Sequence, residues 1–309
     1  MKPGPAAVGR RARTALAVLA ALVLARPGPS RAASVALVRS GPLTPYEQAT
    51  TAFISAYQGR VTSFMLDEAD PAGLRQRIEA ARADVIVAVG LKAALFARDR
   101  LPRTPMVFCV VPNCDRFDLA GGWISGVSAD VPPDLDLAAL KAAAPDVHSV
   151  GLLFGRATGA ALARRAHAAA DAAGLTLVEA PVSSLSELQK VARDLIGRVD
   201  ALWIPADPTV ATPEAFRTLL ELSLAHRKPL LAFSESLVRS GALVAVAPDY
   251  AWVGSQAAEV VRRIQNGERA GDIGVLPLKR TRVVVNPATS KALGHEPPAG
   301  VGHDVELLR

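Results

Sequence analysis

The sequence predicts an α/β fold in two lobes with parallel sheets, and three observations predict it. Short apolar runs alternate with helical stretches rich in Ala, Arg, Glu and Leu along the chain. The runs are nearly continuous rather than alternating with polar residues, which marks strands covered on both faces and so a parallel sheet. A segment of the first half also recurs in outline in the second half, as a pair of similar lobes requires.

The first segment, residues 1–32, is predicted to be a signal peptide and not part of the fold. Lys2, Arg10, Arg11 and Arg13 form a basic front, Thr14 to Ala25 is an apolar run of 12 residues, and "PSRAA" follows with Ser30 and Ala32 as the small residues of a cleavage site. A membrane span needs about 20 apolar residues, so removal after Ala32 and a periplasmic or otherwise exported location are expected. The mature chain then begins with "VALVRS" (35–40), followed by "VTSFML" (61–66), "VIVAVG" (85–90) and "MVFCVV" (106–111) as strands. The second set is "VGLLFG" (150–155), "LTLVEAPV" (175–182), "ALWIPA" (201–206), "LLAFS" (230–234) and "LVAVA" (243–247). Between them "PAGLRQRIEAARA" and "GAALARRAHAAADAAG" read as helices.

The repeat runs Asp, apolar strand, loop, helix, Pro, apolar strand, and pairs Asp84 with Asp200 and Pro105 with Pro229. The break between lobes is expected near "GGWISGVSADVPPD". Farther on, "DYAWVGSQAAEVVRRIQNGE" is an amphipathic helix stopped at Asn266-Gly267, and "TRVVVNPATSKALG" is a strand, a turn and a short helix. These pieces complete the two existing sheets, so the chain crosses between lobes more than once. The expected division is 33–125 with about 250–272 in one lobe, and 126–249 with about 273–309 in the other.

Charge excludes one class of function. The chain has 35 Lys and Arg against 29 Asp and Glu, but six of the basic residues lie in residues 1–32, which leaves 29 against 29 in the mature chain. No basic footprint for nucleic acid remains. Cys109 and Cys114 are the only cysteines. Five extended residues span roughly 16 Å, and a disulfide needs Cα atoms within about 7 Å, so they pair only if the chain folds back at Val111-Pro112-Asn113. Free thiols are the favoured reading.

No G-x-G-x-x-G, G-x-x-x-x-G-K-[ST], G-x-S-x-G or H-E-x-x-H pattern occurs, and none of the five histidines ends a strand. No catalysis, cofactor or metal is therefore expected. Open parallel sheets bind ligands beyond the carboxyl ends of their strands. Those loops hold Arg39-Ser40-Gly41, Gly90-Leu91-Lys92, Pro112-Asn113, Gly155-Arg156, Asp207-Pro208-Thr209, Ser234-Glu235-Ser236 and Asp249-Tyr250. Many of these are equally turn formers and caps. Asp207 stands apart, because Thr212, Pro213 and Glu214 already supply the start of the next helix. Trp203 reads as core rather than as a ligand platform. Tyr46 and Trp252 suit stacking on a ligand as well as a surface or core role.

At "PLKRTRVVVNPATSKALGHEPP" the chain resembles the ABC-transporter substrate-binding proteins of the tryptophan/tyrosine-type group, and the resemblance extends from about Val35 to Pro298. The family's "PTDNTV" is matched by Pro205, Asp207, Thr209 and Val210, and its "PVVFxxVxDP" strand by "TPMVFCVVPN". Its "ITGVS" crossover resembles Ile124 to Ser128, and its "LLKxxxPxxxxVGLLY" resembles Leu140 to Phe154. The "GxQAAExxxxILxG" helix corresponds to Gly254 to Gly267 and "VxNxxxAxxLG" to Val285 to Gly294. Departures fall in the loops: Pro208 replaces the family's Asn, Gly90-Leu91 its Thr-Pro, Asn113-Cys114 its Asp-Pro, and "LTPYEQATTAF" its "LDAxxxGF".

The resemblance implies two Rossmann-like lobes joined by a multi-strand hinge, the type I periplasmic binding protein fold. It implies capture of a small polar ligand, amino-acid-like and aromatic in relatives, and delivery by a monomer to an ABC permease with its ATPase. Asp207 and Thr209 would hold the ligand's amine or hydroxyls, and Gly90, Leu91 and Lys92 its carboxylate. Ser40, Asn113, Ser234, Glu235 and Tyr250 are further candidate contacts. The alternatives are a ligand-sensing module for a membrane histidine kinase and a two-lobed enzyme. A sugar-responsive repressor would share the lobes, but no DNA-binding headpiece precedes Val35.

Overall fold

A computed structural model describes residues 1, 34–101, 103–296 and 305–307. The expected signal peptide lies outside these residues except for Met1. In chain order the first elements are β1 (Ser34–Arg39), α1 (Thr44–Ala56), β2 (Arg60–Met65), α2 (Pro71–Ala80), β3 (Val85–Val89), α3 (Leu91–Arg100), β4 (Met106–Cys109), a 3₁₀ turn (Cys114–Phe117) and β5 (Ile124–Val127). Next come α4 (Pro133–Ala143), β6 (Ser149–Gly155), α5 (Ala160–Ala172), β7 (Thr176–Val182), α6 (Leu185–Ile196), β8 (Ala201–Trp203), α7 (Pro213–Ala225), β9 (Leu230–Ala232), α8 (Glu235–Arg239) and β10 (Val244–Pro248). The last are α9 (Tyr250–Gln265), α10 (Ala270–Ile273), β11 (Val275–Leu276), β12 (Thr281–Val285), α11 (Pro287–Leu293) and β13 (Val305–Leu307).

Two sheets result, ordered β11-β5-β4-β3-β1-β2 and β13-β12-β10-β9-β8-β6-β7. Among the described residues every strand pairing is parallel except β10 with β12. That pair is the one departure from the all-parallel expectation. Burial explains the apolar runs: β3 and β4 are buried at every position, and each sheet carries a separate apolar cluster on either face. Covering both faces removes any need for alternation.

The internal repeat has a physical basis in matched hydrogen bonds. Asp84 accepts from the amide and hydroxyl of Ser34 at 2.8 and 3.1 Å, and Asp200 accepts from the amide and hydroxyl of Ser149 at 2.9 and 2.8 Å. Each Asp thus pins the start of its own strand to the start of the neighbouring strand, β1 or β6, that opens its half of the chain. The carbonyls of Pro105 and Pro229 likewise accept from Ile86 and Leu202 at 2.8 and 2.9 Å.

Helix starts follow the capping residues. Asp70, Ser184, Thr212, Asp249 and Asn286 each accept a first-turn amide at the head of α2, α6, α7, α9 and α11. Thr212 takes the Ala215 amide at 3.2 Å, as expected. The segment "LTPYEQATTAF" is largely helix α1, because Pro45 suits the first turn and Ala49 and Phe53, four residues apart, both reach the core.

Two stretches differ from the sequence reading. The Gly- and Ser-rich break contains strand β5, paired to β4 from Ile124 to Val127; Gly126 leaves room there for the Phe108 ring, which an added Cβ would meet at 2.3 Å. β11 lies beside β5, so the first sheet includes Ile124–Val127 and Val275–Leu276. Cys109 and Cys114 are free, and they belong to apolar clusters on opposite faces of the first sheet. Burial pushes both thiols up to about 12. Among the described residues no helix is long and apolar enough to cross a membrane.

Candidate functional site

The strand ends of the two sheets meet at Asn113. This residue follows β4 with φ of 52°, and its side-chain Nδ2 donates to the Ala206 carbonyl beyond β8 at 2.9 Å. Its own amide donates to Asp130 Oδ1 at 2.6 Å, which ties the β4 loop to the crossover leaving β5. Burial raises the Asp130 carboxyl above its ordinary value, against the lowering effect of the Asn113 amide and the Ser128 hydroxyl. A concavity of about 390 Å³ opens beside this contact, lined by Asn113, Arg116 and Asp130 on one side and Thr158, Leu162 and Arg165 on the other. That volume suits a small molecule.

On the first sheet, Ser40, Tyr46 and Gly90 form one cluster. The Ser40 hydroxyl accepts the Ala93 amide at 2.9 Å, and a Cβ at Gly90 would lie 2.6 Å from Ser40 Oγ and 2.6 Å from Tyr46 Cζ. With φ of 89°, Gly90 is also in the region that disfavours a side chain. It bends the chain directly from β3 into α3, so the first-turn amides of Leu91 and Lys92 have no intrahelical partner. Burial raises the Tyr46 hydroxyl, against the Lys92 charge.

The Lys92 side chain itself points outward, at 64% exposure, and its Nζ lies 2.6 Å from Glu68. That bond raises the Lys92 ammonium above its usual value. The structure therefore brings Gly90 and Ser40 together but engages the Lys92 cation elsewhere.

On the second sheet, Asp207 is 4% exposed, and the protein already occupies its carboxylate. Oδ1 accepts from the amides of Gly155 at 3.2 Å and Thr209 at 2.9 Å, and Oδ2 from the Thr158 hydroxyl. Asp207 thus fastens the loop after β8 to the loop after β6. Thr209 stands beside it, with its hydroxyl 2.3 Å from the position a Gly155 Cβ would take. Thr158 was not foreseen in the sequence; its signal is a hydroxyl in the turn following a buried strand.

The remaining candidates lie near the antiparallel pair. Ser234 heads α8, where its hydroxyl meets that of Ser236 at 3.0 Å. Glu235 pairs with Arg239 at 2.6 Å and Arg282 at 3.4 Å. Tyr250 opens α9, and burial pushes its hydroxyl up to about 12, with Arg282, Tyr46 and Glu235 all contributing to its field. Tyr46 and Tyr250 both pack against the same apolar cluster of the first sheet. Trp203 is core at 1% exposure, and Trp252 is half-buried against the α1 and α9 side of the first sheet.

The comparisons agree with this architecture. A family model described as ABC transporter substrate binding protein matches residues 60–298. A curated tyrosine-binding protein of Clostridioides difficile is 25% identical over 218 residues, which cover 68% of this chain and 63% of that protein. The chain thus spans less than two thirds of that relative's length.

Among solved structures, a ligand-free, open substrate-binding protein with adhesive properties from Clostridium difficile gives a TM-score of 0.74 at 21% identity. The match covers 90% of this chain and 100% of that one. A domain from Streptococcus pneumonia in complex with L-Trp gives 0.69 at 20% identity, over 89% of this chain and 100% of that one. The shared fold is that of type I periplasmic binding proteins.

Proposed function

This chain belongs to the ABC transporter substrate-binding protein family, and we propose that it serves an ABC uptake system as the exported receptor that captures a small amino-acid-like, aromatic ligand between its lobes. The observation that carries the reading is the meeting of strand-end loops from both sheets at Asn113 and Ala206, beside a concavity of about 390 Å³. In this reading the receptor is a monomer without catalysis, exported by residues 1–32, and its outer rims dock on a permease whose ATPase drives uptake. Ser40, Gly90, Leu91 and Asn113 contact the ligand from one lobe, and Thr209, Ser234 and Tyr250 from the other. Tyr46 supplies a ring for stacking. Asp207 and Glu235 act as fasteners that hold the second lobe's loops in place. Lys92 adds positive field at the rim.

The test is a thermal-shift panel of L-tyrosine, L-tryptophan, other amino acids and nucleosides. A ligand at 100 times its dissociation constant adds about 2.7 kcal/mol, or roughly 5 to 10 °C for a chain of this size. A shift confined to aromatic amino acids and their close analogues is the expected result. No shift with any aromatic compound would overturn the ligand class.

A further inference from the structure

Arg39 has no role in the fold described above. It is the last residue of β1, in register with Met65 on one side and with Val89, the residue before Gly90, on the other. Side chains alternate along a strand. Ala36 and Val38 face the cluster shared with α2 and α3, whereas Val35 and Leu37 face the cluster shared with α1 and α9. Arg39 continues the second set at the carboxyl end of the strand, on the side where α1 and α9 begin with Tyr46 and Tyr250. Its Nε is buried and has no hydrogen-bond partner, and among the described residues its guanidinium forms no ion pair.

The carboxylates around the strand ends are in the opposite condition. Asp207 is filled by Gly155, Thr209 and Thr158. Glu235 is held by two arginines, Asp249 by the Trp252 amide, Asp130 by Asn113 and Ser128, and Glu68 by Lys92. Glu47 is exposed, and Asp115 is exposed at the edge of the concavity beside Asn113. The strand ends therefore hold a cation whose buried Nε has no partner, whereas the unpartnered buried carboxyl oxygen, Asp136 Oδ1 in the first turn of α4, belongs to a group that burial raises well above the usual carboxylate range and so favours in its neutral form. A buried donor without an acceptor is costly, and a planar guanidinium matches a carboxylate through two parallel bonds.

From this juxtaposition we infer that Arg39 anchors the ligand's carboxylate, and that the ligands of this chain are carboxylates whose ammonium group is not required for binding. The inference rests on the reading of the chain as a receptor for aromatic amino-acid-like compounds, and it narrows that class by charge. The unpaired first-turn amides of α3 add favourable field for the same anion.

Calorimetric titration of the full mature protein with three probes tests it: L-tyrosine, its amine without the carboxylate (tyramine), and its acid without the amine (3-(4-hydroxyphenyl)propionate). The acid is expected to bind within about tenfold of L-tyrosine, and tyramine about 30-fold or more weakly. Arg39→Gln is expected to weaken L-tyrosine and the acid by about 30-fold or more, while the unliganded melting temperature stays level because among the described residues the unliganded Arg39 side chain has no ion pair to lose. Tyramine binding as tightly as L-tyrosine would overturn the inference, with or without a folded variant. So would an unliganded Arg39→Gln that melts lower in step with its lost affinity, since Arg39 would then be structural. Binding of L-tyrosine but not of the acid would overturn the ammonium clause. Tight binding of L-tyrosine to Arg39→Gln would remove the inference and leave the receptor reading intact. Failure of every probe on the parent protein would remove both.

Discussion

Replacing Asp207 by Ala is expected to lower the melting temperature of the unliganded protein by roughly 6 to 12 °C, at 2 to 4 °C per kcal/mol for a chain of this size. The carboxylate receives two amides and a hydroxyl, from Gly155, Thr209 and Thr158. Hydrogen bonds to a charged acceptor are worth about 1.5 to 3 kcal/mol each. They share one acceptor group and do not add fully, so a loss of about 3 kcal/mol is the expected sum. Asp207→Asn keeps one acceptor oxygen and should lose about half as much. Thermal denaturation monitored by circular dichroism checks both variants. An unchanged melting point for Asp207→Ala would mean that the carboxylate is not a fastener and is free to meet a ligand directly.

The second large effect is expected at Gly254, where α9 crosses α1. A Cβ built there would lie 2.0 Å from the Ala49 carbonyl oxygen and 2.9 Å from its Cα. Backbone cannot yield as a side-chain tip does, so Gly254→Val must force the two helices apart. Overpacking costs typically 1 to 3 kcal/mol, and a backbone clash of this depth places the loss at about 3 kcal/mol or above. The urea midpoint should fall accordingly, with the slope unchanged. Because α1 opens near Tyr46 and α9 at Tyr250, affinity should fall with it. Gly197→Ala is the control: nothing lies within 4 Å of the added atom, and its effect should stay within about 0.5 kcal/mol. Equal midpoints for the two variants would refute the close packing of α1 on α9.

Much of the fold is legible in the chain because its signals are local or strictly patterned. Strands such as Val85–Val89 announce themselves as apolar runs, and Thr212-Pro213 marks a helix start within three residues. The pairing of Asp84 with Asp200 in the repeat is legible for a deeper reason, since each meets the same need at the start of a sheet. Strand β5 is harder to read, because Gly126 serves a packing requirement set by Phe108 on the neighbouring strand, yet looks in sequence like part of a linker.

The candidate site is less legible than the fold for the same reason. That Asp207 is not a helix cap follows from Thr212 nearby. That its carboxylate is filled by Gly155 and Thr158 depends on residues about 50 positions earlier, which only the β6–β8 pairing brings alongside. Lys92 reads as a cleft cation until its outward bond to Glu68, 24 positions away, is seen. Arg39 reads as a turn residue, since nothing in "VALVRSG" signals that its Nε is buried without a partner.

The central claim is that one small ligand is held by both lobes at once, and amide hydrogen exchange tests it most directly. Exchange of the mature protein would be followed with and without saturating L-tyrosine, or the strongest binder of the panel. The account predicts protection in both sets of strand-end loops together, at residues 40–46, 90–93 and 113–117 of the first lobe and 155–159, 206–211 and 234–236 of the second. Protection confined to one lobe, or found only away from these loops, would contradict it.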